Sequence, residues 1–356
     1  MATARGKRIR WVAAVAALGL VLAACGKSST TTSVAGQTGT TGTTGASGAT
    51  ASPTPTELTK VDVIGDWIFD VGFGGLAYGL QQGYFQQHGV DLNFIPGRGS
   101  DLAMQQINQG KVDFAFTDLS TYLQQKIKGD TDTTAVFAWM NTPIIGILSL
   151  KPINDPQDMA GKTFATVVFS SGKDTLPYVL QQNGVDAKSV KVQLLDFSVL
   201  YPELFQGKVD TAEADFAGSY ESAYFAAKKA HIKTYFKLLS DWGFKDYGKL
   251  LIVSNDLIQS DPDLVRNVVA GFNDSITNAL ANADGEEIFN DLKQYNPQTD
   301  EEQTVLAWKD LQSILHDPGP IDDATVTYLL GFLATQGIKT DQPASSFYDN
   351  QYIPTS

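Results

Sequence analysis

The chain has 356 residues, 39 of them acidic and 26 basic, for a net charge of −13 at neutral pH. An excess of acid on that scale excludes nucleic acid and broad attraction to anionic lipid as partners. The single cysteine, Cys25, excludes a disulfide within the chain, and the three histidines, His88, His231 and His316, are too scattered to form a metal site.

Arg5, Lys7, Arg8 and Arg10 precede an apolar run from Trp11 to Ala24, which ends in Leu22-Ala23-Ala24-Cys25. The run is too short to span a hydrocarbon core of ~30 Å comfortably. A basic start, a short apolar stretch and a small-residue cleavage site make a secretory signal over 1–24. Its ending resembles a bacterial lipobox. The resemblance implies cleavage before Cys25, a lipid on its sulfur, and a mature chain moored to the outer face of the cytoplasmic membrane. An ordinary secretory leader with an incidental cysteine is the alternative. Removal of the leader takes four basic residues with it and makes the chain more acidic.

From Gly26 to Thr56 the chain is nearly all Ser, Thr, Gly and Ala, with one charge, Lys27, and no aromatic. Such a stretch cannot bury enough apolar surface to fold. It reads as a flexible spacer reaching ~30 Å, so 25–57 is the lipidated cysteine and linker. No later apolar run approaches transmembrane length.

Strand patterns then alternate with helical ones. Strands are expected at Lys60–Gly65, Asp91–Ile95, Val112–Phe116 and Ala135–Met140, with helices near Gly75–Gln87, Ser100–Gln109 and Ser120–Lys128. A second set has strands near Lys162–Val167, Val190–Leu195 and Val209–Ala214, and helices near Asp174–Asn183, Val199–Gln206 and Ser219–Ala230. This alternation predicts an α/β fold of mostly parallel sheets covered by helices.

Two words recur across the sets. Gln86-Gln87-His88-Gly89-Val90-Asp91 returns as Gln181-Gln182-Asn183-Gly184-Val185-Asp186, and Gln109-Gly110-Lys111-Val112-Asp113 returns unchanged at Gln206 to Asp210. Each places a glycine where a helix stops, a position that suits the left-handed conformation. Two words in the same order at nearly one offset predict two lobes of similar plan. The division is 58–145 for the first part of lobe 1, 146–245 for lobe 2, and 246–356 for a helical tail returning to lobe 1. In that tail Asp261-Pro262 starts one helix. Thr299-Asp300-Glu301-Glu302 reads as a capping box for another.

Parallel α/β sheets bind ligands beyond the carboxyl ends of their strands. Two lobes facing each other through such loops make a cleft that shuts on a solute by hinge closure. The loops offer Asp66, Trp67, Phe69, Ser100, Asp118 and Asn141 from lobe 1, and Ser170, Ser171, Asp196, Tyr220 and Glu221 from lobe 2. Trp67 and Tyr220 could offer flat apolar faces for stacking. Asp66 and Glu221 could accept charge-assisted bonds from an amine or a protonated ring nitrogen. Ser100 is expected to cap the helix that follows Gly97-Arg98-Gly99.

Gly161-Lys162-Thr163 is no phosphate loop, because Pro156 stands where the first glycine is needed. Gly97-Arg98-Gly99 lacks the third glycine of a dinucleotide fingerprint. No Gly-x-Ser-x-Gly elbow occurs. The residues give no catalytic group, cofactor or metal.

The stretches Gly83-Tyr84-Phe85, Gly89-Val90-Asp91 and Gly110-Lys111-Val112-Asp113-Phe114, with Gly161-Lys162-Thr163 opening the second lobe, carry a family resemblance. From about Thr59 to Gly337 the chain resembles substrate-binding proteins for thiamine-pyrimidine precursors. Their wider group includes the sulfonate, taurine and nitrate receptors of ABC importers and the fungal pyrimidine synthases. Asp246-Tyr247-Gly248 to Val253-Ser254, followed by Asp263-Leu264-Val265, is most similar to the pyrimidine branch. There an Asp-Trp pair ends the first strand, as Asp66-Trp67 does, and an aromatic-Glu pair follows a later strand, as Tyr220-Glu221 does. The resemblance implies a two-lobed periplasmic-binding-protein fold that recognises an aminopyrimidine. It also implies a monomer that serves a permease and an ATPase on separate chains. The sequence departs from that branch after Trp67, where Ile68-Phe69-Asp70 replaces a proline-asparagine pair, and at Ser170-Ser171-Gly172, which lacks proline. A different heteroaromatic compound, or an anion such as an alkanesulfonate, taurine or nitrate held by Arg98 and the serines, is the alternative. An enzyme like the synthases is not expected, since no histidine stands near Asp66-Trp67.

Overall fold

The computed structural model describes residues 57–216 and 218–355. The signal, Cys25 and the linker up to Thr56 lie outside the described residues.

The chain begins with β1 (Thr59–Ile64), then α1 (Gly74–Gln82), α2 (Tyr84–Gln87), β2 (Val90–Ile95), α3 (Ser100–Asn108), β3 (Phe114–Thr117), α4 (Leu119–Lys128) and β4 (Thr133–Met140). It continues with β5 (Ile145–Ser149), β6 (Thr163–Val167), α5 (Gly172–Gln182), β7 (Lys191–Leu195), α6 (Phe197–Phe205), β8 (Thr211–Asp215), α7 (Ser219–Lys229) and β9 (Tyr235–Leu238). After β10 (Lys249–Ser254) come α8 (Asn255–Ser260), α9 (Pro262–Asn282), α10 (Gly285–Tyr295), α11 (Glu301–Ile314) and α12 (Asp323–Thr335).

The strands form two five-stranded sheets, ordered β2-β1-β3-β10-β4 and β7-β6-β8-β5-β9. In the first, β1 runs parallel to β2 and β3, and β10 runs antiparallel to β3 and β4. In the second, β6 runs parallel to β7 and β8, and β5 runs antiparallel to β8 and β9. The same strand order with one reversed strand in the same place is the two-lobe plan that the repeated words predict. The words occupy matching joints, with Gly89 and Gly184 at φ 75° and 74°, and Gly110 and Gly207 at φ 64° and 71°. The joints differ in one respect. Val90 begins β2 directly, whereas a 3-10 turn over Ala187–Ser189 precedes β7.

Both reversed strands escape the sequence reading, and so does β9. Reversal is a tertiary fact. The chain leaves the first sheet after Met140, enters the second at Ile145, and returns at Lys249. The two crossings make β5 and β10 run against their neighbours.

The helical tail packs mainly on the first lobe. On α9, capped by Asp261 through Leu264 N–H, the residues Val265, Val268, Val269, Phe272 and Ile276 are fully buried. Phe272 meets Phe85, Phe116 and Trp139 edge-on at 5.0–5.9 Å between ring centres, the geometry favoured by aromatic quadrupoles. The cap of α11 is shifted by one residue from expectation. Asp300, rather than Thr299, accepts from Gln303 N–H and starts α11. An aspartate has a full carboxylate to offer the helix N-terminus and takes the position. The last helix, α12, touches both lobes. Phe332 lies 4.0 Å, centre to centre, from Tyr178 of α5, and α12 also packs on α4.

Candidate functional site

The carboxyl ends of β1, β3, β6 and β8 converge on one cleft between the lobes. Its walls include Asp66, Trp67, Ser100 and Asp118 from the first lobe, and Ser170, Ser171, Phe197, Tyr201, Glu213 and Asp215 from the second. Pro143, Ile144 and Ile145, on the outgoing crossing, and Phe244, Asp246 and Gly248, on the return, close its back. The space between these walls is about 680 Å³, counting its open mouth.

Trp67 stands at the lobe boundary, its ring 5.0 Å from that of Phe197 at 87°. The two rings come from different lobes, so their contact exists only when the lobes are together. A second hollow lies against the same pair, lined among others by Ile68, Asp70, Glu221, Asn296 and Gln303. Lys173 of the second lobe bridges to Asp101 of the first at 2.8 Å. Gly99 brings its backbone against Phe169 at φ 126°, where a Cβ would lie 2.5 Å from the Phe169 carbonyl oxygen.

The cleft is acidic. Lys249 donates to both oxygens of Asp66, at 2.7 and 2.9 Å. Burial pushes the Asp66 carboxyl up nonetheless, with Lys249 pulling the other way. Asp118 caps α4, accepting from Thr121 N–H at 2.7 Å, from Ser120 Oγ at 2.6 Å and from Thr121 Oγ1 at 2.9 Å. Glu213 accepts from the hydroxyls of Thr166 and Ser170, and burial raises its pKa against those bonds. Asp215 is pushed up to about 8 by burial and then by the neighbouring Glu213. Asp246 is raised by burial and by Asp118. Asp70, behind the aromatic pair, is pushed up to about 6 by burial.

Of the residues singled out in the sequence, Asp66, Trp67, Ser100, Asp118, Ser170 and Ser171 line this cleft. Ser100 is not the cap of α3, since Gly99 holds that position. Its hydroxyl instead accepts from Asp118 N–H at 3.2 Å and ties two loops together.

The other candidates lie elsewhere. Phe69 is in the core, 5 % exposed, packed on Phe94 and Tyr295 at 4.7 and 5.0 Å. The turn capped by Asp70 aims it inward. Asn141 donates its amide to the carbonyls of His316 and Asp317 and fastens the loop between α11 and α12. Asp196 is spent as the N-cap of α6, where bonds from Ser198 lower its pKa, and its neighbour Phe197 is the one that faces the cleft. Tyr220 stacks on Phe236 at 4.3 Å within lobe 2. Glu221 is 1 % exposed and accepts from Gly218 N–H at 2.6 Å, closing the first turn of α7.

Sequence reading missed Glu213, Tyr201, Asp246 and Lys249 as wall or support residues. One signal was available. Glu213 and Asp215 alternate with alanines in a strand of an α/β fold, where a strand buried on both faces normally carries apolar residues. Lys249 gave none, because its place depends on the reversal of β10.

Residues 71–286 match the family described as NMT1/THI5 like. A protein of Haemophilus influenzae named for thiamine biosynthesis is 22% identical over 285 residues, covering 78% of this chain and 88% of its own length. The formylaminopyrimidine-binding protein of Halalkalibacterium halodurans is 21% identical over 203 residues, 56% of this chain and 59% of that protein. The alkanesulfonate-binding protein SsuA from Xanthomonas axonopodis pv. citri shares the fold, with a TM-score of 0.61 at 13% identity over 83% of this chain and 99% of that one. The architecture is therefore the α/β fold of periplasmic solute-binding proteins. The family match runs from the turn after β1, through the whole second lobe and the return strand β10, to the start of α10: the chain belongs to the NMT1/THI5-like family.

Proposed function

We propose that this protein captures a small nitrogen heterocycle of the thiamine-pyrimidine precursor class by hinge closure. It passes the solute to a membrane permease driven by an ATPase, both on separate chains. It works as a binding protein rather than an enzyme, as a monomer, held outside the cytoplasmic membrane by a lipid on Cys25. The observation that carries the reading is the cleft itself. Strand ends of both lobes deliver an aromatic wall, Trp67 and Phe197, beside hydrogen-bond acceptors on Asp66, Asp118 and Asp215. A flat ring with exocyclic N–H groups suits that combination. The names of the two sequence relatives point the same way. An anion fits poorly. Arg98 is exposed and is not among the lining residues, and Lys249 is already engaged by Asp66.

Calorimetry of the purified protein with aminopyrimidines, paired with small-angle scattering, tests the assignment. Saturable binding with a smaller radius of gyration supports it. Absence of binding across the aminopyrimidines and related heterocycles ends it. Cys25→Ser should release the protein from membranes into the soluble fraction, which separates a lipid anchor from an ordinary leader.

A further inference from the structure

Two of the contacts between the lobes differ in kind. The first runs through α12. Its Leu329 and Phe332 share one buried apolar cluster with Tyr122 of α4, in lobe 1, and with Leu176 and Tyr178 of α5, in lobe 2. The same helix is tied to the return crossing behind the cleft. Tyr328 donates its hydroxyl to the Gly243 carbonyl at 3.1 Å, and Phe332 meets Phe244 edge-on at 6.3 Å between ring centres. The second contact, α7 of lobe 2 against α11 of lobe 1, is polar. Ser222 donates its hydroxyl to Gln303 Oε1 at 3.1 Å, and Lys228 pairs with Glu302 at 3.5 Å with both side chains more than half exposed. The buried apolar residues of these two helices belong to separate clusters, Ala223 to that of lobe 2, and Ala307 and Trp308 to that of lobe 1. Two hollows open along the seam, one lined by Ser222 and Gln303, the other by Lys228 and Glu302.

We infer that the lobes pivot on α12 and part along the α7–α11 seam, and that solute enters the inner cleft from the outer hollow through a gate made of Trp67 and Phe197. The inference rests on the solute-capture reading above and gives the closure its axis and its entrance. Separating a buried apolar contact costs free energy in proportion to its area, whereas exposed polar groups exchange their partners for water at little cost. The seam is therefore the side that yields. The hollow lined by Ser222 and Gln303 shares Trp67, Phe197 and Ser219 with the inner cleft, so the Trp67–Phe197 ring pair stands between the two spaces. In this shut position Trp67 Nε1 is buried and has no hydrogen-bond partner among the described residues. The neighbouring ring of Phe197 is at best a weak acceptor. A buried donor without an acceptor is costly, and water repays the loss once the lobes part. The gate is thus biased to open when no solute holds the lobes together.

The test uses protein carrying Cys25→Ser, so that the only thiols are those introduced at exposed positions. Lys228→Cys with Glu302→Cys spans the seam, and Gln181→Cys with Thr335→Cys spans α5 and α12. Pulsed electron paramagnetic resonance on spin-labelled, ligand-free protein should show a longer second distance across the seam and one narrow distance across α5 and α12. One narrow distance at both pairs, or a longer component at the α5–α12 pair, overturns the inference. Bridging the seam pair with a short bis-maleimide should slow association of an aminopyrimidine roughly tenfold or more relative to the same variant with its thiols capped singly. An unchanged rate overturns the entrance. Failure of the capped variant and its parent to bind the aminopyrimidine ends the heterocycle assignment, whereas the distances, read without ligand, still decide the axis.

Discussion

Lys249 and Asp66 stand 183 positions apart in sequence, yet the ammonium of one sits between both carboxylate oxygens of the other, at 2.7 and 2.9 Å. Asp66 leaves the carboxyl end of β1. Lys249 begins β10, and because β10 is antiparallel to β3 its first residue lies at the carboxyl ends of the parallel strands. The pair is buried, with side chains 4% and 11% exposed.

Breaking that pair on one side should be severe. Lys249→Met is expected to cost about 3–5 kcal/mol, because Asp66 remains buried beside Asp118 without its cation. Adding Asp66→Asn should return part of the loss. Urea denaturation of the two single variants and the double variant gives the coupling directly, and an additive result would contradict it.

Gly99 lies where the backbones of the two lobes meet. Alanine there must adopt φ 126° and place its methyl against the Phe169 carbonyl of the opposite lobe. Gly99→Ala should hold the lobes apart and weaken solute binding by roughly tenfold or more, as the competent fraction falls. Scattering should report a larger radius of gyration at unchanged secondary structure.

The Trp67–Phe197 contact joins the lobes edge to face. Such pairs are worth about 0.5–1.5 kcal/mol beyond their buried area. Trp67→Ala should therefore weaken binding by more than Phe197→Leu, since it removes both the contact and the wall of the cleft. Titration of both variants with one ligand checks the order.

The stability of the empty protein should depend on pH through two carboxyl groups. Burial raises Asp70 to about 6 and Asp215 to about 8, from an ordinary value of 3.8. A carboxyl with a raised folded pKa supports the fold fully below its ordinary value and loses that support as pH climbs through the raised one. The ligand-free Tm should fall as pH rises from about 4 to about 8 on account of these groups. Asp215→Asn should flatten the upper part of that decline, and a variant profile parallel to the wild type would contradict the assignment.

Glu221 should matter to stability and little to the ligand. It accepts from Gly218 N–H at the start of α7 while nearly fully buried. Glu221→Ala is expected to cost about 1–2 kcal/mol with solute affinity retained. Thermal melts and titration of the same preparation separate the two effects.

The local grammar of the chain was open to reading without a structure. Strands β1–β4 and β6–β8 and their helices fell within a few residues of expectation, because alternation and glycine stops are local properties. Asp66-Trp67 was legible as a loop at a strand end, and it does line the cleft. Phe69, two residues on, was not separable from Trp67 by residue type. The turn capped by Asp70 decides that one ring faces the lobe boundary and the other the core. Tyr220 and Glu221 stand after β8, where the family resemblance implies ligand contacts. Their side chains are instead claimed by Phe236 and by the Gly218 amide.

By itself the sequence determined that two halves of one plan would form, since the words at Gly89, Gly110, Gly184 and Gly207 write the same helix stop into each. Only the tertiary structure decided which strands run backwards, and with them where Lys249 and Asp246 come to rest. The physical reason is that a helix stop is settled by a few neighbouring residues, whereas the direction of a strand depends on which sheet the chain joins after it crosses, and nothing near residue 249 records that.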